Sequence, residues 1–435
     1  MILKQLNVFW GARLVGGLEL ESSETRMTFT YAESWLTGEA VRPISLSLPL
    51  SGSPFRGGAA HWFFANLLPE GLLRQRLARR FGISADNDFA LLSAIGGECA
   101  GALAVIAGDQ PPQAEGYRPL TSSDLETLTT PGGDELLELL GSGQARLSLA
   151  GAQDKVPVLM VGDGQVHLPL GGAPSSHILK LPSAAFRHLS ANEVLCNMIA
   201  RHCGLAVPEA RLLRAGKNDA CLVRRFDRFE GIDGTLERLH QEDLCQALGM
   251  PPARKYEAEG GPTFAACFKL VRDNSADPLS DARRLLRWQV FNLLCGNADG
   301  HAKNLGLLYS DTGELTLAPA YDLVCTRAYP ALDLHLAMSI GTERDPGQVG
   351  RKHWEELAHE LDLGKRYLLG LVEEMATQML DHAEAAATEF TERYGDSPAL
   401  GQVSRQVRRQ SRRTLQLLHT QAATERDGGP SCQQR

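Results

Sequence analysis

The sequence predicts an α+β chain in which a β-rich opening and a small β-rich lobe precede a larger, mainly helical lobe. Three observations carry this. Residues 1 to about 50 alternate short apolar runs with turn residues, several strand-like runs surround one helical pattern between residues 146 and 229, and beyond Leu239 the apolar spacing becomes mainly helical. At 435 residues and 47.3 kDa the chain exceeds one ordinary core, so two to four subdomains are expected.

Apolar residues at 43% and charged residues at 22% match an ordinary folded protein and give no reason to expect extensive disorder. The formal charge of −8 and the pI near 5.9 argue against nucleic-acid binding through the net field; a local basic patch aside, DNA contact needs a partner. No apolar run approaches the ~18 residues that cross a bilayer. The start, "MILKQLNVFWGARLVGG", also lacks the apolar core and small-residue cleavage site of a signal peptide. The expected compartment is the cytoplasm, with no membrane contact. The nine cysteines are odd in number, form no C-x-x-C pair and sit mostly in apolar runs, so they read as reduced, buried thiols.

In chain order, "LNVFWGARLVGGLEL", "RMTFTY" and "ISLSLPL" read as strands. From "HWFFANLLPEGLLRQRLARRFG" onward, Phe64, Leu67, Leu68, Leu72, Leu73 and Leu77 fall near helical spacing, with Gly82 as the stop; a small αβ segment then runs to about Val105. "AGDQPPQAEGYRPLTSSD" is rich in Pro, Gly and Ser and reads as a connection. Next, "RLSLAGAQDKVPVLMVGDGQVHLPL", "HILKLP" and "ACLVRRFDRF" read as strands around the helix "ANEVLCNMIARHCG". "RLHQEDLCQALGMPPARKYEAEGGPTF" opens the helical lobe. The expected division is 1–106, an N-terminal subdomain; 107–140, a connecting segment; 141–238, the small lobe; 239–424, the helical lobe; and 425–435, a frayed polar tail.

The stretch "GNADGHAKNLGLLY" holds most of the candidate chemistry. The apolar run "ARRLLRWQVFNLLCG" predicts a buried helix stopped by Gly296, so Asn297 to Asn304 form a loop. Asp299 and Asn304 stand five apart, as do the Asp and Asn of a protein-kinase catalytic loop, where Asp takes the substrate proton and Asn holds Mg²⁺. A hairpin, "LGLLY-SDTGE-LTLA", and then "PAYDLV" return Asp322 at a strand end. Asn304 and Asp322 supply hard oxygen ligands for a metal between phosphates, with Asp299 left as base. A polar capping turn explains the loop equally well by itself; Asp322 tips the balance to function. His301 follows the aspartate, so the order is not H-R-D.

"HILKLP" puts Lys180 in a strand laid out like the kinase strand whose lysine meets nucleotide phosphates. Glu193 could pair with Lys180, but "SANE" reads first as a capping box from Ser190 to Glu193. "SLAGAQDK", residues 148–155, lies where a phosphate-covering loop belongs and satisfies neither glycine-rich pattern, so by itself it reads as a hairpin turn. "LVRRFDRF" serves as a hinge with backbone groups of Arg224 to Phe226 toward adenine, or as an ion-pair cluster of Arg225, Asp227 and Arg228.

Taken together, "SLAGAQDK", "HILKLP", "RFDR", "QEDLCQALG", "KYEAEGGP", "NADGHAKN" and "PAYDLV", with "SLSLPL" and "FANLLPEG" before them, resemble the HipA family from end to end. These are bacterial serine/threonine kinases that act as toxins of type II toxin–antitoxin modules. The resemblance implies a protein-kinase-like bilobal fold with an extra N-terminal β-rich subdomain and a mainly helical C-terminal lobe. It implies ATP contacts at Ala150, Gly151, Ala152, Gln153, Asp154, Lys155, Lys180, Arg224, Arg225, Phe226, His301, Ala302, Lys303, Asn304, Tyr321 and Asp322, with Asp299 as proton acceptor. ATP and Mg²⁺ are the implied cofactors, and Ser148 matches a serine whose autophosphorylation silences the kinase. An acidic hinge position of the best-known member is Arg224 here; since a hinge meets adenine chiefly by backbone, ATP use is expected to survive.

Family partners are a HipB-like helix-turn-helix antitoxin, operator DNA through that antitoxin, and an aminoacyl-tRNA synthetase as protein substrate, glutamyl-tRNA synthetase in the best-known case. The resulting stall in translation promotes growth arrest and persistence. Two other readings share the sequence: a catalytically silent corepressor beside an antitoxin, which the intact set Lys180, Asp299, Asn304 and Asp322 speaks against, and a small-molecule kinase, which the N-terminal subdomain and the motif order disfavour.

Overall fold

The computed structural model describes residues 5–21, 26–38, 41–132, 138, 151, 153–162 and 164–427. The chain divides into two compact units: Met1–Ser190 with Pro208–Lys255 and Ala302–Pro319, and Ala191–Val207 with Tyr256–His301 and Ala320–Arg435.

The first unit opens with strands β1 (Gln5–Trp10), β2 (Arg13–Leu20) and β3 (Met27–Tyr31), and helices α1 (Glu33–Leu36), α2 (Gly58–Ala65), α3 (Gly71–Phe81) and α4 (Asp88–Ile95). Strand β4 (Leu103–Ile106) completes an antiparallel sheet in the order β3-β2-β1-β4. The run read as one helix is two. Asn66 donates from Nδ2 to Trp62 O (2.8 Å) at the end of α2, and Pro69 cannot continue a helix, so α3 restarts at Gly71 and stops at Gly82 in the left-handed conformation. "ISLSLPL" is not a strand. Its polar backbone groups are met by side chains: Tyr31 donates to Leu48 O (2.6 Å) and accepts from Ile44 N–H (2.9 Å), and Glu242 accepts from Leu46 N–H (3.0 Å).

Strand β5 (Ala114–Pro119), helix α5 (Ser122–Leu128) and strands β6 (Lys155–Val161), β7 (Gln165–Gly171) and β8 (His177–Lys180) follow. The stretch read as a mere connection thus contributes an edge strand. After α6 (Leu189–His202), β9 (Ala210–Ala215) and β10 (Asn218–Arg224) complete a six-stranded sheet in the order β5-β7-β6-β8-β10-β9. Helix α6 begins one residue before Ser190, so Ser190 is not its N-cap and the capping-box reading fails. One apolar core runs from Val8, Leu18 and Phe29 through Phe63, Leu77 and Leu92 to Val158, Leu179 and Leu222.

Strands β11 (Arg228–Glu230) and β12 (Leu236–Arg238) form a hairpin, and β13 (His240–Asp243), which the sequence did not reveal, leads into the short helix α7 (Leu244–Ala247). The second unit is carried by α8 (Phe264–Asn274) and α9 (Pro278–Cys295). The expected hairpin, β14 (Gly306–Tyr309) and β15 (Leu315–Leu317), forms and pairs with β13. Helices α10 (Arg351–Glu360), α11 (Lys365–Tyr394) and α12 (Pro398–Asp427) end the described chain, with α9, α11 and α12 packed on one another. Among the described residues no helix is long and apolar enough to cross a membrane, and all eight cysteines are buried thiols.

Candidate active site

In the first unit the predicted phosphate residues fall on a strand pair. Lys155 opens β6 and Lys180 closes β8, and the two are register partners in antiparallel pairing, both buried. Directly opposed residues share a face, and like charges there are unfavourable. Gly151 has φ of +113°, a backbone conformation that favours glycine, and a Cβ there would also meet the flexible end of Lys155 at 2.8 Å. Gln153 Nε2 donates to Leu181 O (2.9 Å), the Leu181 amide donates to Asp154 O (2.8 Å), and Arg76 pairs with Asp154 Oδ2 (3.1 Å), which stitches this stretch to the end of β8 and to α3. Ser148, Ala150 and Ala152 lie outside the described residues.

Lys303 and Asn304, in a short 3₁₀ turn with Ala302, are buried. Lys303 Nζ lies 2.8 Å from Glu70 Oε1, and Lys255 Nζ lies 2.8 Å from Glu70 Oε2. Burial alone would raise the Glu70 carboxyl, but the two ammonium groups outweigh it and hold it down to about 2. The Glu70 amide also donates to Gly151 O (3.1 Å).

At the expected hinge, the ion-pair cluster read from the sequence is present. Arg225 pairs with Asp227 (2.7 Å) and Glu98 (3.2 Å), and Arg228 pairs with Glu98 (3.1 Å) and Asp227 (3.0 Å), all four side chains being buried. Burial works against every one of these charges, yet the guanidinium groups hold Asp227 and Glu98 below the usual carboxylate range. The Arg224 amide donates to Glu209 O (2.8 Å) and the Arg225 amide to Ser176 O (2.9 Å), so these two N–H groups already have partners.

The second unit holds the catalytic-loop candidate. Helix α9 ends as expected at Gly296, whose φ is +77°. Asn297 then braces the turn: its Nδ2 donates to Asn292 Oδ1 (2.9 Å) and its Oδ1 accepts from the Asp299 amide (3.1 Å). Thr326 accepts from the Ala298 amide (2.8 Å) and donates to Gly296 O (3.1 Å), tying the segment after Asp322 to this loop. The Asp299 side chain is 50% exposed and reachable by an incoming group. The Tyr256 hydroxyl donates to its Oδ1, and the buried His301 ring meets the Tyr256 ring edge-on at 5.2 Å between centroids, with Nε2 3.7 Å from the same oxygen.

Asp322 is not at a strand end: β15 stops at Leu317, and Asp322 sits in irregular chain with φ of +54°, beside the half-buried Tyr321. Such a conformation in a non-glycine residue persists only when neighbours enforce it. Asn192 on α6 holds the chain three residues further on, accepting from the Cys325 amide (2.9 Å) and donating to Cys325 O (3.0 Å), while the Ala320 amide donates to Ala206 O (2.8 Å). Among the described residues no group of three His, Cys, Asp or Glu side chains is gathered for a metal. The two donors expected from the sequence, Asn304 in the first unit and Asp322 in the second, carry hard oxygens of the kind Mg²⁺ takes.

Comparison with known proteins follows this geometry. Residues 6–106 match the family model described as HipA N-terminal domain, and residues 147–387 match that described as HipA-like C-terminal domain. The chain belongs to the HipA family. "Putative kinase Y4mE" of Sinorhizobium fredii is 41% identical over 395 residues, 89% of this chain and 92% of that protein. The serine/threonine-protein kinase toxin HipA of Shewanella oneidensis is 30% identical over 358 residues, 79% and 80% of the two chains. The solved complex of Shewanella oneidensis HipA and HipB with operator DNA matches with a TM-score of 0.80 at 25% identity, over 95% of this chain and 98% of that one. One relative is named a kinase toxin and others putative kinases, and the α+β, protein-kinase-like fold expected from the sequence is the observed one. Three further residues bear on these positions and no local motif gives them a role: Glu70 in "FANLLPEG", Tyr256 in "KYEAEGGP" and Asn192 in "SANE". Their partners lie far along the chain, which spacing cannot show.

Proposed function

We propose that the chain is an ATP- and Mg²⁺-dependent serine/threonine protein kinase and the toxin of a toxin–antitoxin module, acting in the cytoplasm. The observation that carries this is the combination, in one HipA-family chain, of a solvent-reachable Asp299 on a braced loop and the opposed buried lysines Lys155 and Lys180. Lys155, Lys180, His301 and Lys303 hold the phosphates, helped by backbone at Ala150 to Lys155 and at Ala302. Adenine meets the hinge at Arg224 to Phe226 by its carbonyls, two N–H groups there being taken, and Tyr321 lines the nucleotide. Asp299 orients the substrate hydroxyl for in-line attack and takes its proton. Mg²⁺, when bound, neutralises charge on the phosphate oxygens; Asn304 and Asp322 are its protein ligands.

Ser148 is the site of self-phosphorylation, and a phosphate of about −2 charge in a site built for ATP phosphates silences the kinase. The partner is a HipB-like helix-turn-helix antitoxin, through which operator DNA is reached; a relative solved with HipB and operator DNA supports this. The protein substrate is an aminoacyl-tRNA synthetase, glutamyl-tRNA synthetase first, and its phosphorylation arrests growth and promotes persistence. The organisation is an N-terminal subdomain to residue 106, a connection to 140, a small lobe to 238, a catalytic lobe to 424 and a tail. The test is intact-mass measurement after incubating the chain with Mg²⁺, ATP and a set of bacterial synthetases. One added phosphate on glutamyl-tRNA synthetase, and one on the chain that is lost in Ser148→Ala, is the expected result. Phosphate on no synthetase removes the substrate assignment; phosphate nowhere removes the kinase reading.

A further inference from the structure

We propose that Tyr256 is a positioning residue for phosphoryl transfer, its phenol fixing the Asp299 carboxylate in the orientation from which it accepts the substrate proton. The inference rests on the kinase reading above and gives that site a residue it lacked. The Tyr256 hydroxyl donates to Asp299 Oδ1 across 43 residues of sequence. A half-exposed aspartate without such a tether samples several rotamers, whereas a general base must sit within hydrogen-bond reach of the proton it takes.

The tether stands on a rigid base. The amides of Glu259 and Gly261 both donate to Tyr256 O, at 3.0 and 2.9 Å. The next residue, Glu257, accepts from the Ser339 amide (2.6 Å) and hydroxyl (2.8 Å), and its own amide donates to Ala337 O (3.1 Å). The ring also meets buried His301, whose amide donates to Asp299 O (2.9 Å), so Tyr256 touches the loop at two points. In the transfer step the substrate O–H bond breaks and its proton passes to Asp299 Oδ2. The substrate oxygen bonds to the γ-phosphorus, and the bond to the departing ADP oxygen breaks. The phenol proton stays on Tyr256, which holds Oδ1.

The test is a four-way comparison of wild type, Tyr256→Phe, Asp299→Asn and the double variant, using γ-phosphate-labelled ATP, Mg²⁺ and a bacterial lysate as acceptor. Phenylalanine keeps the ring against His301 and removes only the hydroxyl. At saturating ATP the Tyr256→Phe rate is expected to fall roughly ten- to hundredfold, the worth of a hydrogen bond to a charged group, with the ATP KM within about twofold of wild type. In the Asp299→Asn background the same change is expected to cost nothing further, since the group it positions is gone. A wild-type rate in Tyr256→Phe overturns the inference. So does an equal further loss in the double variant, or a fall explained by a raised ATP KM. A wild type that transfers no phosphate overturns both this and the kinase reading, whereas an active wild type with an unaffected Tyr256→Phe sinks the inference alone.

Discussion

At the scale of single residues, Asp299 is held at backbone and side chain at once: its amide by Asn297, its Oδ1 by Tyr256. Replacing it by asparagine keeps the shape and removes the base, so the transfer rate at saturating ATP should drop roughly a hundred- to ten-thousandfold with nucleotide binding retained. Steady-state kinetics beside direct ATP titration separates the two. Glu70 makes a different prediction. Its folded pKa, about 2, lies below the ordinary 4.5, so its contribution to stability is complete above about pH 4.5 and is lost as pH falls toward 2. Glu70→Gln should cost roughly 2–3 kcal/mol at neutral pH, and the gap should narrow by about 1 kcal/mol near pH ~3.5. Urea unfolding of both proteins across that range measures it, and a gap independent of pH counts against the two-lysine account. Asp299 was legible in the sequence because its helix, its glycine stop and its loop are consecutive. Tyr256 and Glu70 were not, since nothing in a local pattern says which distant oxygen a phenol or ammonium will meet.

At the scale of elements, the lysines owe their placement to strand pairing. Short runs of Val, Leu and Ile made β6 and β8 readable, and the antiparallel register then sets Lys155 opposite Lys180. Strand β13 escaped notice because its sequence, His240 to Asp243, is polar, yet His240 and Glu242 are buried and hydrogen-bonded, which alternation of apolar residues cannot signal. "ISLSLPL" failed the opposite way, an apolar run whose backbone is met by side chains instead of a strand. Helix α6 also acts at this scale, as the clamp on the segment after Asp322. Asn192→Ala removes both bonds to Cys325 and leaves buried backbone groups unmet, so it should destabilise the protein by roughly 2–3 kcal/mol. It should also raise the Mg²⁺ concentration needed for half-maximal transfer. A metal titration that matches wild type in the folded variant would separate Asn192 from the Asp322 loop.

For the whole molecule, the end-to-end order of motifs foretold the family that the N- and C-terminal matches show. The buried network of Glu98, Arg225, Asp227 and Arg228 was half visible: its arginines and aspartate are close in sequence, but Glu98 lies 127 residues before Arg225, between α4 and β4. The net charge of −8 makes a prediction about partners. At about 0.15 M salt the chain alone should not retard duplex DNA in a mobility shift, because long-range repulsion opposes it. Retardation by the isolated chain would mean that a local basic surface suffices without an antitoxin.

The central claim is phosphoryl transfer from ATP to protein through Asp299. The most direct measurement is the label incorporated into lysate protein from γ-phosphate-labelled ATP and Mg²⁺ by wild type and by Asp299→Ala at equal nucleotide occupancy. Strong protein labelling by wild type that is lost in Asp299→Ala is the predicted result; no labelling by wild type, or equal labelling by both, contradicts the account.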